Sequence, residues 1–579
     1  MKKRQFLALF VALALLVSIF AGCGGDDTSS ASGSGSSTAA SESEAGETSE
    51  TGEESTESTA SGAEEGTEGN VNLEGYPIVN EPITVSMMGQ KAGIHGEWDQ
   101  MEFFDIMEDM TNIGFTFDTP ATEVLEEKKN LALNSGNYAE VLMGINLTRD
   151  QQVKYGTQGI LLPLDEYIDK YCPNIVAMFE ENPGVRASMT ATDGHIYALG
   201  QLAVTPLMST AMWVNIDWLD ALGVDPEDLP TTVDGVTELF RRFRDEDPNG
   251  NGEQDEIPFS VLDDANKGDS VYNNMMPYFG VMSPEFWADD EGVVHYGMTD
   301  PNARDAFEWF NLLWEENLMD HDAYTQSSAD ALAKGTEGRN GAGFHALPRF
   351  VFGNMELEKE ATYPVMPALS SDVNPEQTCA KGTGITQGVF ALTDKCSEET
   401  AIAMMRWVDY LYSEEGSWLI HYGPEGHIWE VSPNDPELHV YIQPTDGRNV
   451  EEVRGGEITP DCGVACPKWV RYTTEGAWDD VQQQARIAWS EKNLNPYAKT
   501  VMPDLFLTEE EQSVVDTYLT DCKMYRQENG AKFVTGEKSF DEWDSFVADL
   551  KAMGVDEMLA AYQSAYDRWA EANGGTSAE

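Results

Sequence analysis

Between residues 82 and 143 the apolar positions change period repeatedly. Pro82–Met88 alternates and reads as a strand, and Trp98–Met110 repeats at helical spacing. Ile113–Phe117 alternates again, Ala121–Leu133 returns to the helical period and ends near Ser135-Gly136, and Val141–Met143 is a short apolar strand. This strand–helix–strand–helix–strand order predicts parallel α/β units. Ligands in such sheets gather beyond the carboxyl ends of the strands. The Gly89–Gly96 loop, carrying Gln90 and His95, therefore falls at a predicted cleft.

Downstream, Leu162-Pro163-Leu164-Asp165 opens a helix through Tyr171, and the Asp193-Gly194 turn feeds a strand over His195–Leu199. Met212–Asn215 reads as a strand, and a helix from Asp217 is stopped by Gly223. Val233, Val236, Leu239, Phe240 and Phe243 share one helical face. At the far end, Ser539 and Glu542 predict a capping box. Phe540, Trp543, Phe546, Val547, Leu550 and Met553 repeat at helical spacing up to Gly554. A last helix from Asp556 carries Leu559, Tyr562, Tyr566 and Trp569 on one face, and these aromatics read as core.

The helix over Val233–Phe243 leads into Asp-Pro-Asn-Gly-Asn-Gly-Glu-Gln-Asp-Glu-Ile-Pro, residues 247–258. Asp247, Asn249, Asn251, Asp255 and Glu256 bring side-chain oxygens to near-alternate positions, with Gly250 and Gly252 between them. A loop folding oxygens around a hard cation needs this alternation and a glycine at the sharp turn. The first half matches an EF-hand loop, whose seventh position, here Glu253, ligates through its backbone carbonyl. The second half departs, because Pro258 stands where a bidentate Glu would be. A compact calcium loop is expected; an acidic surface turn without an ion is the alternative.

Lys2, Lys3 and Arg4 precede the apolar run Phe6–Phe20, which reads as a secretory signal peptide over residues 1–22. Phe20-Ala21-Gly22-Cys23 resembles a bacterial lipobox, so cleavage before Cys23 and lipidation of its thiol are expected; an ordinary signal peptide is the alternative. From Gly24 to Asn70 there is no aromatic and no basic residue, and such a segment cannot bury enough apolar surface to order itself. It reads as a disordered acidic tether, residues 23–70. No other stretch is long and apolar enough to span a bilayer as a helix.

The 579 residues suggest two lobes. Lys and Arg total 35 against 102 Asp and Glu, a net charge of −67, which repels phosphate backbones and argues against a nucleic-acid partner. Cys172, Cys379, Cys396, Cys462, Cys466 and Cys522 form no CxxC pair, which argues against a zinc knuckle or a thioredoxin-type site. A Cys462–Cys466 or Cys379–Cys396 disulfide and buried free thiols both remain open.

Asp193-Gly194-His195-Ile196-Tyr197, Asn215-Ile216-Asp217-Trp218-Leu219, the 247–256 loop, Tyr412-Ser413-Glu414-Glu415-Gly416-Ser417, Tyr422-Gly423-Pro424-Glu425-Gly426 and Val534-Thr535-Gly536-Glu537-Lys538 occur in that order. In order and spacing the chain resembles the extracellular solute-binding lipoproteins of ABC importers, in the branch containing the alginate-oligosaccharide binders, over most of residues 80–570. The resemblance implies a two-lobed α/β fold of the periplasmic-binding-protein type (type II), with a ligand cleft between the lobes and C-terminal helices. Lobe 1 would take 71–207 and 382–425, and lobe 2 would take 208–381 and 426–579. It also implies a structural Ca2+ remote from the ligand, held by Asp247, Asn249, Asn251, the Glu253 carbonyl, Asp255 and Glu256. Two departures are Tyr138-Ala139-Glu140, where relatives have Pro-Asp, and extra length over Cys462–Trp469.

Sugar rings bind aromatic faces through their C–H patches while polar groups fix the hydroxyls. On that chemistry the ligand-contacting candidates are Trp429 with Glu430, Trp213 with Asn215, Phe344 with His345, and Gln90 with His95; core packing is the alternative for each. No GxSxG, HExxH or P-loop signature is present in the body, and no carboxylate pair stands out among 102, so no catalytic residue is expected. The expected function is an extracellular, lipid-anchored, monomeric receptor that captures an oligosaccharide and delivers it to the permease subunits of an ABC importer. The alternatives are a receptor for a peptide or another small solute and, third, a glycoside hydrolase.

Overall fold

Two main sheets are built from β1 (Ile83–Gly89), β2 (Ile113–Asp118), β3 (Val141–Met143), β4 (Leu199–Ala203), β5 (Ala211–Val214), β6 (Ile257–Ser260), β7 (Asn340–His345), β8 (Ile385–Leu392) and β9 (Trp469–Val470). The first sheet has the order β9-β4-β8-β3-β1-β2 and the second β5-β7-β6. β1 is parallel to β2 and β3, as the alternation of strands and helices predicts, while β8 runs antiparallel between β3 and β4. In the second sheet β7 is antiparallel to β5 and parallel to β6. The computed structural model describes residues 67–205, 210–261 and 269–574; the expected signal peptide, Cys23 and most of the acidic tether lie outside the described residues. The end of that tether is ordered, since Thr67–Glu68 pairs antiparallel with Val71–Asn72.

The helices follow the apolar spacing. They are α1 (Glu102–Thr111), α2 (Leu125–Ser135), α3 (Arg149–Thr157), α4 (Val233–Asp245), α5 (Glu398–Leu411), α6 (Glu509–Val534), α7 (Trp543–Ala552) and α8 (Val555–Ala572). α1 and α5 bury Phe103, Phe104, Met107, Trp407 and Val408 in one core with Val85, Met87 and Phe390 of the first sheet. Leu125 of α2 and Tyr155 of α3 lie in a second, smaller core with Leu142 and Ala391. A third core joins Trp213 and Phe259 of the second sheet to Phe243, Phe533, Phe546 and Trp569. No helix among the described residues is long and apolar enough to cross a membrane.

Several elements differ from the sequence expectation, each for a local reason. The helix expected over Trp98–Met110 breaks into a short 3-10 turn and α1, with Met101 extended between them. Trp98 is drawn under β1, where a Cβ on Gly89 would meet its ring at 2.2 Å. The strand expected from His195 begins only at Leu199, because the His195 and Ile196 carbonyls accept from Ala191 N at 2.8 Å and Leu164 N at 2.7 Å. Ser539 accepts from Asp541 N at 3.2 Å without a reciprocal Glu542 cap, and a 3-10 turn precedes α7. Pro258 lies in β6, an edge strand, where the missing N–H breaks no ladder. All six body cysteines are free thiols.

The two departures from the family pattern acquire roles. Glu140 Oε2 accepts from Ser86 N at 2.8 Å and Ser86 Oγ at 2.9 Å, clamping the entry of β3 to β1. The extra length before Trp469 ends as β9, parallel to β4, and Val464, Cys466 and Trp469 enter the first core. This segment packs with the first sheet and not with the second, as the expected division at 426 had it. Its anchor is Asp461, whose Oδ1 accepts from Lys468 Nζ at 2.5 Å and from Cys466 N at 3.2 Å, while Oδ2 lies 2.5 Å from His421 Nδ1. Burial acts to raise the Asp461 pKa, but Lys468 and His421 hold it below the usual carboxylate range. Burial in turn lowers that of His421.

At the C-terminal end, Thr508 and Glu511 form a reciprocal cap on α6. Glu511 also pairs with Arg568 of α8, accepting from Nη1 at 2.6 Å and Nη2 at 2.5 Å. Burial pushes Glu511 up, but the Arg568 fork and the cap outweigh it and hold the carboxyl at about 2, against an ordinary 4.5. A depressed folded-state pKa gives stability that is complete above the unfolded value and disappears as pH falls through the folded value. Glu511→Gln is therefore expected to lower the melting temperature at pH 7, and the difference from the native chain to shrink between pH 4.5 and about 2, read by thermal melts across that range.

Candidate functional site

The loops beyond the carboxyl ends of the first sheet are held by specific hydrogen bonds. Gln90 is buried and donates from Nε2 to Thr122 Oγ1 at 3.0 Å. His95 is buried, with Nε2 2.7 Å from the Cys462 carbonyl, so that nitrogen carries the proton. Nδ1 then accepts from Ala92 N at 3.2 Å and Trp98 Nε1 at 3.4 Å. Burial lowers the His95 pKa, which suits this neutral tautomer. Gly96 N donates to Gly455 O at 3.2 Å, and a Cβ on Gly96 would stand 2.1 Å from Gly456 O. The first strand-to-helix loop is thus welded to the segment that ends in β9.

On the second sheet, Trp213 Nε1 donates to the His345 carbonyl at 2.9 Å. Asn215 caps the helix Ile216–Leu222 through Oδ1 and donates from Nδ2 to Asn340 O at 2.9 Å. Phe344 meets Phe259 edge-on at 6.0 Å, and the His345 ring lies 4.4 Å from that of Phe350. His345 Nδ1 is buried without a hydrogen-bond partner, and burial lowers its pKa. Trp429 belongs to a separate aromatic cluster with Tyr422 and Trp478 and donates to Gly423 O at 3.0 Å, while Glu430 beside it is exposed. The structure therefore groups Trp213, Asn215, Phe344 and His345 on one sheet, Gln90 and His95 at the other, and leaves Trp429 and Glu430 apart.

A cavity of about 330 Å³ opens elsewhere, lined among others by Arg149, Asp150, Phe286, Asp504, Gln512 and Tyr562. Arg149 and Asp150 start α3, which follows the carboxyl end of β3, and Thr148 caps them with Gln151. Val153 of α3 packs on the second core, whereas Phe286 and Leu505 of the same lining belong to the third. The cavity thus lies where the two sheets' supporting cores meet. Arg149 pairs with Asp504, whose Oδ2 accepts from Thr383 Oγ1 at 2.6 Å. Arg149 Nε remains buried with no hydrogen-bond partner, and burial lowers the Arg149 pKa. Phe286 and Tyr562 stack with centroids 4.1 Å apart at 27°. A second, shallower space of about 320 Å³ shares Asp150, Glu509 and Gln512 with the first and adds Ser513, Asp516 and Thr517.

None of the eight sequence-derived candidates lines either space. The signal for Arg149 and Asp150 was present, since they follow a strand end as Gln90 does. Phe286 and Tyr562 carry no signal that separates a cavity wall from a core.

The 247–256 loop folds inward on itself. Gly252 N donates to Asp247 Oδ2 at 3.1 Å, Asn251 N to Asn249 Oδ1 at 3.1 Å, and Glu253 N to Asn251 Oδ1 at 2.6 Å. The Asn249 and Asn251 amides donate to Asp255 Oδ1 at 3.1 and 2.9 Å. Gly250 and Gly252 take positive φ of 70° and 79°, as does Asp247 at 47°. The Asn251 and Asn249 hydrogen bonds, with Arg339 nearby, hold Asp255 below its usual pKa. Burial, then Asp255 and Asp247, push Glu256 up, and its Oε1 is buried with no partner. Among the described residues no group of three or more His, Cys, Asp or Glu side chains is arranged to hold a metal ion. The loop's oxygens include two amides and a backbone carbonyl besides its carboxylates.

Comparisons with known proteins bear on the fold and the family. The fructooligosaccharide ABC transporter substrate-binding protein FusA of Streptococcus pneumoniae is 25% identical over 514 residues, covering 85% of this chain and 87% of its own. The solved structure of FusA with kestose matches with a TM-score of 0.66 at 23% identity, covering 85% of this chain and 100% of that one. An EF-hand mutant of FusA with fructo-nystose gives 0.66 at 22%, with the same coverage. A solute-binding protein of Bifidobacterium longum infantis, described as binding HMO, gives 0.70 at 19%, covering 85% of this chain and 99% of that one. These likenesses establish the two-lobed α/β fold. The profile of the bacterial extracellular solute-binding proteins matches residues 96–418, more than half of the chain, so the chain belongs to that family of binding proteins and is not an enzyme.

Proposed function

We propose that the chain captures an oligosaccharide in the cleft between its two lobes, at the cavity lined by Arg149, Phe286 and Tyr562, and delivers it to the permease subunits of an ABC importer. The observation that carries this reading is the stacked Phe286–Tyr562 pair beside the partly exposed guanidinium of Arg149. Apolar ring faces and an open donor are what a hydroxyl-bearing ring needs. The sugar-binding relatives support the same class. Gln90 and His95 brace the loop after β1 and Trp213, Asn215 and Phe344 the second sheet, while Trp429 and Glu430 stand apart from both. Closure would be a hinge motion favoured by contacts available only when both lobes touch the ligand.

Asp247, Asn249, Asn251, the Glu253 carbonyl, Asp255 and Glu256 hold a structural Ca2+ in this reading. The donor chemistry fits: Glu256 Oε1 is an orphaned buried acceptor, and the loop adds the amide, carbonyl and carboxylate oxygens that a hard cation takes. The FusA EF-hand mutant supports the same assignment. Cys23 carries the lipid anchor that holds a monomeric receptor at the outer face of the bacterial membrane.

Tyr562→Ala is expected to weaken oligosaccharide binding about tenfold or more, on the order of 1.4 kcal/mol, in isothermal titration; unchanged affinity would move the ligand away from this cavity. Chelation of calcium is expected to lower the melting temperature while leaving oligosaccharide affinity nearly unchanged, and Glu256→Gln to abolish the chelator response. A melt indifferent to both calcium and chelator would remove the ion. Mass spectrometry of the mature N-terminus is expected to find a diacylglyceryl thioether on Cys23, and Cys23→Ala to release the protein into the medium.

A further inference from the structure

We infer that the solute is an uncharged chain of more than one sugar unit, and that uronate-type anionic chains are excluded. This rests on the oligosaccharide reading above and narrows it. Two observations carry the inference: the balance of open donors and acceptors around the cavity, and its continuation past Gln512.

Arg149 is the one Lys or Arg lining the cavity, and it is already paired with Asp504, which is itself fixed by Thr383. Its side chain is 35% exposed, so the guanidinium still presents N–H donors to the cavity. Asp150 and Glu509, in both spaces, and Asp516, in the second, have no Lys, Arg or His within ion-pair distance among the described residues. The lining therefore offers an unfilled donor and unneutralised acceptors side by side. A hydroxyl both accepts and donates, so a neutral sugar can satisfy both. A ligand carboxylate could take an Arg149 N–H but would face unpaired carboxylates at short range, in the field of a chain with net charge −67. An ammonium could satisfy the carboxylates but would bring a second cation beside the Arg149 guanidinium.

The second observation concerns length. The two spaces share Asp150, Glu509 and Gln512, so Gln512 stands at the boundary between them. Gln512 Nε2 donates to Asp516 Oδ1 at 2.7 Å, which fixes the amide and leaves its carbonyl oxygen to accept a ligand hydroxyl. A ring held against Phe286 and Tyr562 would therefore pass its next unit along the first turns of α6, over Ser513 and Thr517. Gln512 becomes the residue that reads chain length.

The test uses the mature chain in thermal-shift and titration measurements against two panels. One holds neutral di-, tri- and tetrasaccharides of fructose, glucose, galactose and mannose; the other holds oligogalacturonates and oligomannuronates of equal length. At least one neutral chain is expected to bind roughly 100-fold or more tighter than any anionic chain, with tetrasaccharide tighter than disaccharide. Gln512→Ala is expected to erase most of the gain from disaccharide to tetrasaccharide. Asp150→Asn combined with Glu509→Gln and Asp516→Asn is expected to narrow the gap between neutral and anionic chains. An anionic chain binding as tightly as the best neutral one would overturn the inference and leave the oligosaccharide reading standing. Disaccharide and tetrasaccharide binding alike would overturn the role given to Gln512 and chain length. No response to either panel would overturn the oligosaccharide reading and this inference together.

Discussion

One carboxylate without access to water holds much of this molecule in place. Asp461 is buried between Lys468 and His421, and its oxygens are almost fully satisfied. Removing one partner from such a group leaves an uncompensated charge, a loss of roughly 3–5 kcal/mol. The geometry propagates outward. Lys468 also donates to Gln201 of β4 at 2.9 Å, so the network fixes β9 to the first sheet. Arg454 donates to the Asp461 and His421 carbonyls, each at 2.8 Å, closing the segment on itself. The Cys462 carbonyl, next along the chain, receives His95 and thereby fixes the loop after β1. A polar cluster remote in sequence from that loop sets the position of one cleft wall.

The arrangement divides labour between rigid and adjustable parts. The cores beneath the sheets are dense with aromatic rings, and Trp98, Phe104 and Phe117 lie within 5.9 Å of one another in centroid distance. Where the supporting cores meet, polar contacts stand beside apolar ones: Arg149 pairs with Asp504 and Asp504 with Thr383, while Phe506 enters the second core and Leu505 the third. Ion pairs at partly exposed sites contribute little net stability and exchange readily with water. Such a junction can change its spacing at small cost, which a receptor that closes around its solute requires.

Much of the fold was legible because its causes are local. The period change from β1 to β3 follows from which residues face a core, and the tight turns of the 247–256 loop are legible because Gly250 and Gly252 mark its positive-φ positions. Legibility failed where the cause was distant. β9 is two residues long and becomes a strand only because Asp461 holds it beside β4. Trp98 leaves its helix because Gly89, nine residues earlier, opens a slot for the ring. The cavity is made by residues more than 350 positions apart, Arg149 and Asp504, and Tyr562 has the same helical spacing as the buried residues around it. Spacing identifies an inward face but not whether that face meets protein or open space.

The cysteines carry one last consequence. Six thiols sit in the body, none is bonded to another, and five are buried. Burial pushes Cys379 and Cys396 up to about 12 and Cys462 to about 11, so little thiolate exists at neutral pH. A thiol that is neither ionised nor reachable neither exchanges nor oxidises readily. A family that works outside the cell normally meets an oxidising environment, yet the six body cysteines form no disulfide. Protection of the five buried thiols belongs to the folded core, and any of them that reacts with an alkylating reagent marks a region that has opened.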